Sequence, residues 1–376
     1  MSGIDNLICV ALLVRGIKTV NSRERVLSAM NLEEPDRVPL DIELADEPFQ
    51  LLCKHYNFKD NSVSRSFTYG IKLCRALGCD LLIFEPGSPK NWRPKRFDDG
   101  SWLDEWGILR RPRMKGTIDW FETHPIVDEK SLDEYEFPDP SAPGRLEDLE
   151  EAIKMYRGEF AIIAGIGFSL WERAWTLHGF HQSLIDFYHN PKFMERLLDR
   201  IVDFDVEMAK IIVEHEIDAF RLGDDYAGQK DLLFSPEVWR KFIKPRLKKI
   251  TNIARNRGLP VILHSCGNVI QIMKDLSEAG IDVINPVQPK AMNPAELKLR
   301  FGNLFCFYGT MDLQHTLPFG TAEDVKNEVS ERMRTVGAGG GLILAPAHTV
   351  PPDVPVQNLV SLSRAVKKLG KYGFSK

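Results

Sequence analysis

Two segments that are far apart in the sequence carry side chains that zinc prefers as ligands. The first reads His264-Ser265-Cys266-Gly267-Asn268, and the second contains His348, just after an apolar run. Alternate residues at the end of a strand point to the same side, so His264 and Cys266 can reach one ion at ligand distances of about 2.0–2.3 Å. With His348, two nitrogens and one sulfur leave a fourth tetrahedral position for substrate or water, which is typical of a catalytic zinc site.

This motif also has a simpler explanation, namely a core histidine next to a buried cysteine. Cys306 and His315 compete with His348 for the position of third ligand. The residues alone therefore leave open both the presence of a metal and the identity of the third ligand.

Most apolar runs in the sequence end in polar residues that a purely structural strand would not need. Asp224 and Asp225 follow one such run, and paired carboxylates can differ in pKa and act as acid and base. An N-cap or a loop ion pair is the alternative role for one of them. Tyr308 ends another run and is a further catalytic candidate. The candidates for substrate binding are Glu43, Gln229, Asn285, Gln288 and Asp312.

Eight short apolar runs, separated by segments of helix length, would have to position these side chains. They are residues 38–44, 80–85, 160–166, 217–222, 260–264, 281–285, 304–308 and 342–345. The clearest runs are almost continuously apolar, which favours parallel strands covered on both faces. Eight successive β-then-α units predict an α/β protein with a (β/α)8 TIM barrel, and an open doubly wound sheet is the alternative. In a barrel the loops after the strands meet on one face.

The remaining segments are predicted to add an extension and an insertion to a single barrel domain. Residues 1–20 hold an apolar run of about eight residues, too short to span a bilayer, and they lack the flanks of a secretory signal. We therefore predict a poorly packed N-terminal extension there. The barrel is predicted at 21–376, with an insertion after its second strand at about 86–157. Within the insertion, Asp104-Glu105-Trp106-Gly107 is a candidate cover for the barrel mouth.

Composition and charge argue against several classes of function. The 376 residues include 49 Lys and Arg against 53 Asp and Glu, a net charge of −4, with the two signs interspersed. This balance argues against nucleic-acid and membrane-surface partners. A hydrophobic content of 43% permits a sizeable core. The six cysteines show no framework spacing, which indicates reduced thiols of a cytoplasmic protein.

Five motifs together resemble the uroporphyrinogen decarboxylase superfamily. They are Asn21-Ser22-Arg23-Glu24-Arg25-Val26, Pro35-Asp36-Arg37-Val38-Pro39, His264-Ser265-Cys266-Gly267-Asn268, Gly309-Thr310-Met311-Asp312 and Gly341-Leu342-Ile343-Leu344-Ala345-Pro346. The resemblance covers roughly residues 21–370 and implies a (β/α)8 barrel. It also implies one of two activities: tetrapyrrole decarboxylation, or zinc-dependent methyl transfer that serves corrinoid proteins and thiols.

The site pattern is more similar to the methyltransferase branch, from which it departs at one ligand. The resemblance implies a His-x-Cys after one strand and a further Cys after the last strand, where this sequence has His348. A neutral imidazole in place of a thiolate raises the charge of the site by one. A bound thiolate then becomes less nucleophilic, and an ether or an amine becomes comparatively suitable as methyl donor.

The loop after the first run argues against the decarboxylase branch. That branch is expected to carry arginines there for a polycarboxylate substrate, but residues 43–48 read Glu-Leu-Ala-Asp-Glu-Pro. Acids at contact distance would repel a multiply anionic tetrapyrrole by on the order of 1 to 4 kcal/mol per pair.

We therefore expect a cytoplasmic zinc-dependent methyltransferase that moves a methyl group between a small ether, amine or thiol and a corrinoid protein. A separate partner would supply the corrinoid, since the sequence has no recognisable cobalamin-binding module. One alternative is a metal-free tetrapyrrole decarboxylase that relies on Asp225 and Tyr308. Another is a non-catalytic barrel that binds a corrinoid or its carrier protein. The sequence leaves a homodimer open, and it does not reveal the methyl donor and acceptor.

Overall fold

The computed structural model describes residues 20–58, 67–111 and 120–372. Its strands are β1 (Leu81–Phe84), β2 (Lys95–Arg96), β3 (Trp102–Leu103), β4 (Leu109–Arg111), β5 (Trp120–Thr123), β6 (Ala161–Ile166), β7 (Ala219–Gly223), β8 (Val261–His264), β9 (Val283–Val287), β10 (Cys306–Met311) and β11 (Leu342–Pro346). Seven of them form a parallel sheet in the order β1-β6-β7-β8-β9-β10-β11, and β2 to β5 form a small antiparallel sheet. The parallel order follows the sequence without the reversal that a doubly wound sheet requires.

Helices connect the strands of the parallel sheet. They are α1 (Ser22–Met30), α2 (Asp46–His55), α3 (Phe67–Leu77), α4 (Glu129–Glu134), α5 (Glu147–Tyr156), α6 (Leu170–His178), α7 (Phe180–His189), α8 (Pro191–Ile212), α9 (Pro236–Val238), α10 (Lys244–Arg255), α11 (Met273–Glu278), α12 (Pro294–Phe301), α13 (Thr316–Phe319), α14 (Ala322–Arg332) and α15 (Val356–Leu369). A π-helical turn at Trp239–Ile243 precedes α10, and Pro245 lies in the first turn of α10. A proline has no N–H for the helix ladder, so the regular hydrogen bonds of one continuous helix are interrupted here. No helix in the described ranges is long and apolar enough to cross a membrane.

Seven of the eight predicted strands are confirmed, and the eighth, at 38–44, is an extended segment held by isolated bridges. Leu40 forms a parallel bridge to Leu344 in β11, and the Leu40 carbonyl accepts a hydrogen bond from the Asp80 N–H at 2.8 Å. Leu44 forms a second parallel bridge, to Val350. The segment therefore lies between the two edge strands of a curled parallel sheet.

The inner face of this sheet packs on α1. Val26, Ala29 and Met30 of α1 form one cluster with inward side chains of the strands, among them Ile163 and Ile262. All five are at least 95% buried. Helix α1 therefore covers the end of the sheet where the strands begin, and the polar candidates lie at the opposite end.

A buried aspartate joins the segment 38–44 to the rest of the fold. Asp80, which is 0% exposed, lies just before β1. It accepts hydrogen bonds from Arg25 Nη1 at 2.7 Å, from Arg37 Nη1 at 2.7 Å and from the Leu40 N–H at 2.8 Å. Arg25 also pairs with Asp36 at 2.7 Å. These contacts tie α1, the segment 38–44 and β1 together.

The region predicted as an insertion contains the small antiparallel sheet together with α4 and α5. Its buried Trp106 packs edge-on against Phe204 of α8, with ring centroids 4.8 Å apart. The guanidinium of Arg173, in α6, lies 3.8 Å from the centre of the Trp106 ring. The predicted extension at 1–20 lies, except for Val20, outside the described residues.

Candidate metal centre

His264, Cys266 and His348 lie together at the end of the sheet where the strands finish. Their potential ligand atoms all lie within 4.8 Å of one another. Cys266 Sγ is 3.8 Å from His264 Nε2, and the two imidazole centroids are 5.3 Å apart. Two ligands of one tetrahedral zinc ion lie about 3.5 Å apart, given bond lengths of about 2.0–2.3 Å. The three side chains can therefore share one ion after small movements.

The loop that carries Cys266 depends on a glycine. Gly267 has a φ of +86°, and a Cβ at this position would lie 2.4 Å from the Gly228 carbonyl oxygen. Only glycine fits such a close approach with a positive φ. The Cys266 N–H donates to Asp225 Oδ1 at 2.7 Å, and the Asn268 N–H donates to the Gly228 carbonyl at 2.9 Å. These contacts hold the thiol beside His264.

A hydrogen bond from the next strand orients the His264 ring. His264 Nδ1 lies 2.7 Å from Asn285 Oδ1, an oxygen that can only accept, so the ring carries its proton on Nδ1. The lone pair of Nε2 then faces Cys266. Burial, with the nearby positive charge of Arg221, holds the pKa of His264 well below its usual value. The ring is therefore neutral, as a metal ligand must be.

Replacement of Asn285 by alanine is expected to weaken zinc binding by roughly 10- to 100-fold, because the His264 ring loses the partner that fixes its orientation. Competition with a chromophoric chelator would measure the affinity. Asn252→Ala, at an exposed position of α10, is the matched control and should bind zinc like the wild type. An unchanged affinity in a folded Asn285→Ala protein would contradict this role.

The surroundings of the thiol are rich in carboxylates. Burial, together with the negative charges of Asp225 and Glu172, raises the pKa of Cys266. Burial also raises the pKa of Asp225. Acidic groups thus converge with a soft sulfur ligand on one point, where a divalent cation would offset their repulsion.

The two paired aspartates have different surroundings. Asp224 is completely buried and accepts hydrogen bonds from the N–H groups of Trp171 at 3.0 Å and Glu172 at 2.7 Å, in the first turn of α6. Burial raises the pKa of Asp224 to about 7. Asp224 therefore caps α6, which is the role that the alternative explanation gave to one of the two aspartates. Asp225 instead contacts residues 265–268, here called the ligand loop because they carry Cys266, and it interacts electrostatically with His348.

Tyr308 has a partner that the sequence did not suggest. Its hydroxyl donates a hydrogen bond to Asp41 Oδ2. Burial, with the neighbouring charge of Glu43, raises the pKa of Asp41 to about 7, although the bond from Tyr308 opposes the shift. The sequence feature that could have pointed to Asp41 is its position as a carboxylate within the apolar run 38–44.

The raised pKa of Asp41 predicts a pH-dependent stability. The folded protein binds a proton at Asp41 up to about pH 7, whereas the ordinary value is 3.8, so stability should fall as the pH rises between these values. The expected fall is on the order of 1–3 kcal/mol. Asp41→Asn cannot ionise and should flatten this part of the profile, as measured by urea unfolding at pH 5 and pH 7.5. Asp98→Asn, at an exposed position, should keep the wild-type slope; an equal slope in Asp41→Asn would contradict the assignment.

Two predicted glutamines lie next to the ligand loop. Gln288 Oε1 accepts hydrogen bonds from the Gly267 N–H at 2.8 Å and from Gln229 Nε2 at 3.0 Å. Glu43 is exposed and accepts a hydrogen bond from Thr349 Oγ1 at 2.7 Å, one residue after His348. These three side chains therefore lie beside the two loops that carry Cys266 and His348.

Asp312 and the two rival ligands lie outside the cluster. Asp312 is 5% exposed and accepts hydrogen bonds from the N–H groups of Gln314 at 2.8 Å and His315 at 3.1 Å. It thereby stabilises a turn. Cys306 is buried in the core next to α1. His315 lies 3.4 Å from Asp312, so neither rival joins His264 and Cys266.

Comparison with known proteins identifies the family. The sequence model for uroporphyrinogen decarboxylase (URO-D) matches residues 115–369, well over half of the chain. The chain belongs to the URO-D family. A solved methyltransferase from Methanosarcina mazei superposes with a TM-score of 0.70 at 21% identity, covering 93% of this chain and 98% of the other. This likeness supports the α/β fold.

The URO-D family relatives include both methyltransferases and decarboxylases. Methylcobamide:CoM methyltransferase MtaA of Methanosarcina barkeri is 28% identical over 171 residues, covering 46% of this chain and 48% of that protein. Methylcobamide:CoM methyltransferase MtbA of Methanosarcina acetivorans is 30% identical over 184 residues, 48% of this chain and 50% of its own. Uroporphyrinogen decarboxylase of Magnetococcus marinus is 26% identical over 189 residues, 49% and 50% of the two chains. The matches thus span about half the length of these relatives.

One charged residue near the candidate metal centre of this URO-D family chain was not among the residues predicted from the sequence. Arg221 lies in β7, is 9% exposed, and donates from Nη1 to Glu85 Oε1 at 2.6 Å. Its positive charge helps to lower the pKa of His264. The available signal was an arginine within the apolar sequence Ala219-Phe220-Arg221-Leu222.

Proposed function

We propose that this protein is a zinc-dependent methyltransferase that moves a methyl group between a small substrate and a corrinoid protein. The observation that carries the proposal is the convergence of His264, Cys266 and His348 within 4.8 Å. Membership of the URO-D family and relatives named as methylcobamide:CoM methyltransferases support it.

We further propose that the segment 38–44 acts as the eighth strand of a closed (β/α)8 barrel. Its bridges to β11 and its hydrogen bond from Asp80 support this closure. In this proposal residues 21–376 form one domain, and about 86–157 are inserted after the second strand. The protein would be cytoplasmic, with no nucleic-acid or membrane partner.

The donor set suits zinc better than other common metals. One thiolate and two neutral imidazoles are typical zinc ligands, and they leave a fourth position open. The carboxylates of Asp225 and Glu172, which raise the pKa of Cys266, would be offset by a divalent charge. A bound zinc ion would supply Lewis-acid activation of the atom that gives or receives the methyl group.

The protein side chains would bind the substrate and handle its proton. Asp225, beside Cys266, would accept or return the proton of the substrate heteroatom. Gln229, Gln288 and Glu43 carry polar groups beside the loops of Cys266 and His348 and would bind polar parts of the substrate. Because His348 brings no negative charge, we propose an ether or an amine in preference to a thiol.

A separate protein would carry the corrinoid to this site. The proposal follows from the methylcobamide specified in the names of the MtaA and MtbA relatives. The described chain offers the opening of the parallel sheet, at the end where the strands finish, as the side to which such a carrier would bind.

Metal analysis combined with a methyl-transfer assay tests the proposal. We expect about one zinc per chain. We also expect a spectral change when methylcobalamin is incubated with the protein and a panel of phenols, amines and thiols. Removal of zinc with a chelator should stop the reaction, and added zinc should restore it. Full methyl-transfer activity in the metal-free protein would overturn the proposal. Release of carbon dioxide from uroporphyrinogen by the metal-free protein would also overturn it. Corrinoid binding without any transfer would instead support a non-catalytic barrel.

A further inference from the structure

A cavity of about 250 Å³ lies between the ends of β1 and β6 and the small antiparallel sheet. We call it the side cavity. Its walls include Glu85 and Phe168 from the segments just after β1 and β6, Trp102 and Trp106 from the inserted region, and Arg173 and Asp205 from α6 and α8. A space of this size holds a small organic molecule.

Most charged groups in the wall of the side cavity are already paired. The pairs are Arg110 with Asp104 at 2.8 Å, Arg145 with Glu105 at 2.8 Å, and Arg221 with Glu85 at 2.6 Å. Arg173 and Asp205 form no such ion pair within the described part of the chain. Each is the main charged neighbour of the other, but at a distance longer than that of an ion pair.

Both of these residues bury a polar atom without a partner. Arg173 is 9% exposed, and its Nη1 has no hydrogen-bond partner among the described residues. Asp205 is 2% exposed, and the same holds for its Oδ2. Burying a charged group without a hydrogen-bond partner costs free energy, so a protein that buries such a group usually binds a ligand or a water molecule that supplies the partner. The two atoms therefore indicate a ligand that binds in the side cavity.

The chemistry of the wall selects the kind of ligand. A guanidinium has a planar set of N–H donors that matches a carboxylate, and that of Arg173 is held 3.8 Å from the Trp106 ring centre. Because Arg173 has no carboxylate at ion-pair distance in the described part of the chain, a single negative charge suffices, and a polyanion would meet the carboxylates of Glu85, Asp104 and Glu105. Burial raises the pKa of Asp205 well above its usual value, so its protonated form can donate to a carboxylate. The aromatic rings in the wall suit a flat apolar body.

The side cavity lies next to the candidate metal centre. Glu172 and Arg173 are consecutive residues of α6. Glu172 interacts electrostatically with Asp225 and Cys266, whereas Arg173 lines the side cavity. Glu85, in the cavity wall, binds Arg221, whose charge acts on His264. Gly167 in the cavity wall also lies against Gly223, the residue that pairs with His264, so the two places are neighbours.

We propose that the side cavity binds the carboxylate of a small monocarboxylic acid substrate, with Arg173 as its anchor. The inference that this acid carries the transferred methyl group rests on the proposed function. Binding of the carboxylate itself does not.

Binding of benzoate to the full chain tests the proposal, with benzamide as the uncharged analogue. Titration calorimetry and tryptophan fluorescence should show saturable benzoate binding, with benzamide at least about tenfold weaker. Arg173→Gln should weaken benzoate binding by at least about tenfold, because the carboxylate loses its charged donor. Arg300→Gln removes an exposed arginine that pairs with Glu296 on α12, and it should bind benzoate like the wild type. Equal binding of benzoate and benzamide, or no saturable binding of benzoate, would overturn the proposal.

A second variant covers the case that Arg173→Gln does not fold. Asp205→Asn keeps the shape of the wall and keeps a neutral hydrogen-bond donor, so benzoate binding should be unchanged. A loss of binding in the folded Asp205→Asn protein would contradict the proposal, because the amide N–H groups replace the O–H donor of the protonated Asp205 carboxyl.

The titrations should be run on both zinc-free and zinc-loaded protein to separate the two proposals. Benzoate binding in a protein that holds no zinc and transfers no methyl group would support the side cavity and overturn the proposed function. Zinc binding and methyl transfer without benzoate binding would do the reverse.

Discussion

Cys266→Ala is expected to lower zinc affinity by roughly 10²–10³-fold and to abolish methyl transfer. Cys266 is the only anionic donor in the candidate metal centre, and its loss leaves two neutral imidazoles. The apparent binding free energy of structural zinc, about 10–16 kcal/mol, is shared among four ligands, so each contributes several kcal/mol. Zinc content after gel filtration and competition with a chelator would measure the loss.

The matched control is another free thiol. Cys53→Ala removes a half-buried cysteine from α2 and should keep wild-type zinc content and activity. Thermal unfolding of both variants would show whether the fold is intact. A folded Cys266→Ala protein that still holds one zinc with wild-type affinity would refute the assignment of this ligand.

Asp80→Ala is expected to destabilise the protein by about 3–5 kcal/mol. Asp80 is 0% exposed and accepts hydrogen bonds from Arg25, Arg37 and the Leu40 N–H. Alanine would leave two guanidinium groups and one backbone donor without their acceptor. Urea unfolding at neutral pH would measure the change.

Two comparisons separate this network from a general effect of substitution. Asp98→Ala removes an exposed aspartate and should change stability by less than about 0.5 kcal/mol. Asp80→Asn keeps an acceptor for Leu40 but loses the charge, so it should lie between the wild type and Asp80→Ala. A loss below about 1 kcal/mol in Asp80→Ala would show that the arginines find other partners.

The positions of the strands were predictable because strands buried on both faces leave almost uninterrupted apolar runs. The residues at which the strands end could not be predicted in the same way. The seventh run was expected to end at Tyr308, yet β10 continues to Met311 through Gly309 and Thr310, which have φ values of +116° and +77°. Such backbone geometry and the irregular pairing of β10 with β9 leave no mark in the hydrophobic pattern.

The segment 38–44 forms bridges rather than a regular strand for a reason visible in the sequence. Pro39 has no N–H to donate, so the ladder is interrupted there, although its carbonyl still accepts a hydrogen bond from the Leu344 N–H at 2.9 Å. The apolar pattern located the segment correctly, and the proline explains its irregular pairing.

The three candidate ligands could be proposed from sequence because the ends of parallel strands converge. The residues that support them depend on strand register, which the sequence does not reveal. The pairing of β8 with β9 sets Asn285 opposite His264. The partners of Tyr308 and Glu85, namely Asp41 and Arg221, come from distant parts of the sequence and are evident only in three dimensions.

Two motifs that resemble the family have a structural role. Arg25 and Asp36, one in each of the first two motifs, pair with each other at 2.7 Å, and Arg25 also pairs with Asp80. Sequence similarity alone could not distinguish these residues from catalytic ones.

The packing of α1 against the inner face of the sheet has a kinetic consequence. In the described part of the chain, Val26, Ala29 and Met30 seal the far end of the fold, so under the proposed function a small substrate would enter from the same side as a corrinoid carrier. A docked carrier would block that approach. The small molecule would then have to bind before the carrier, and its product would leave after the carrier. Steady-state kinetics would show a compulsory binding order, and an excess of the carrier would inhibit by blocking the entry of the small molecule.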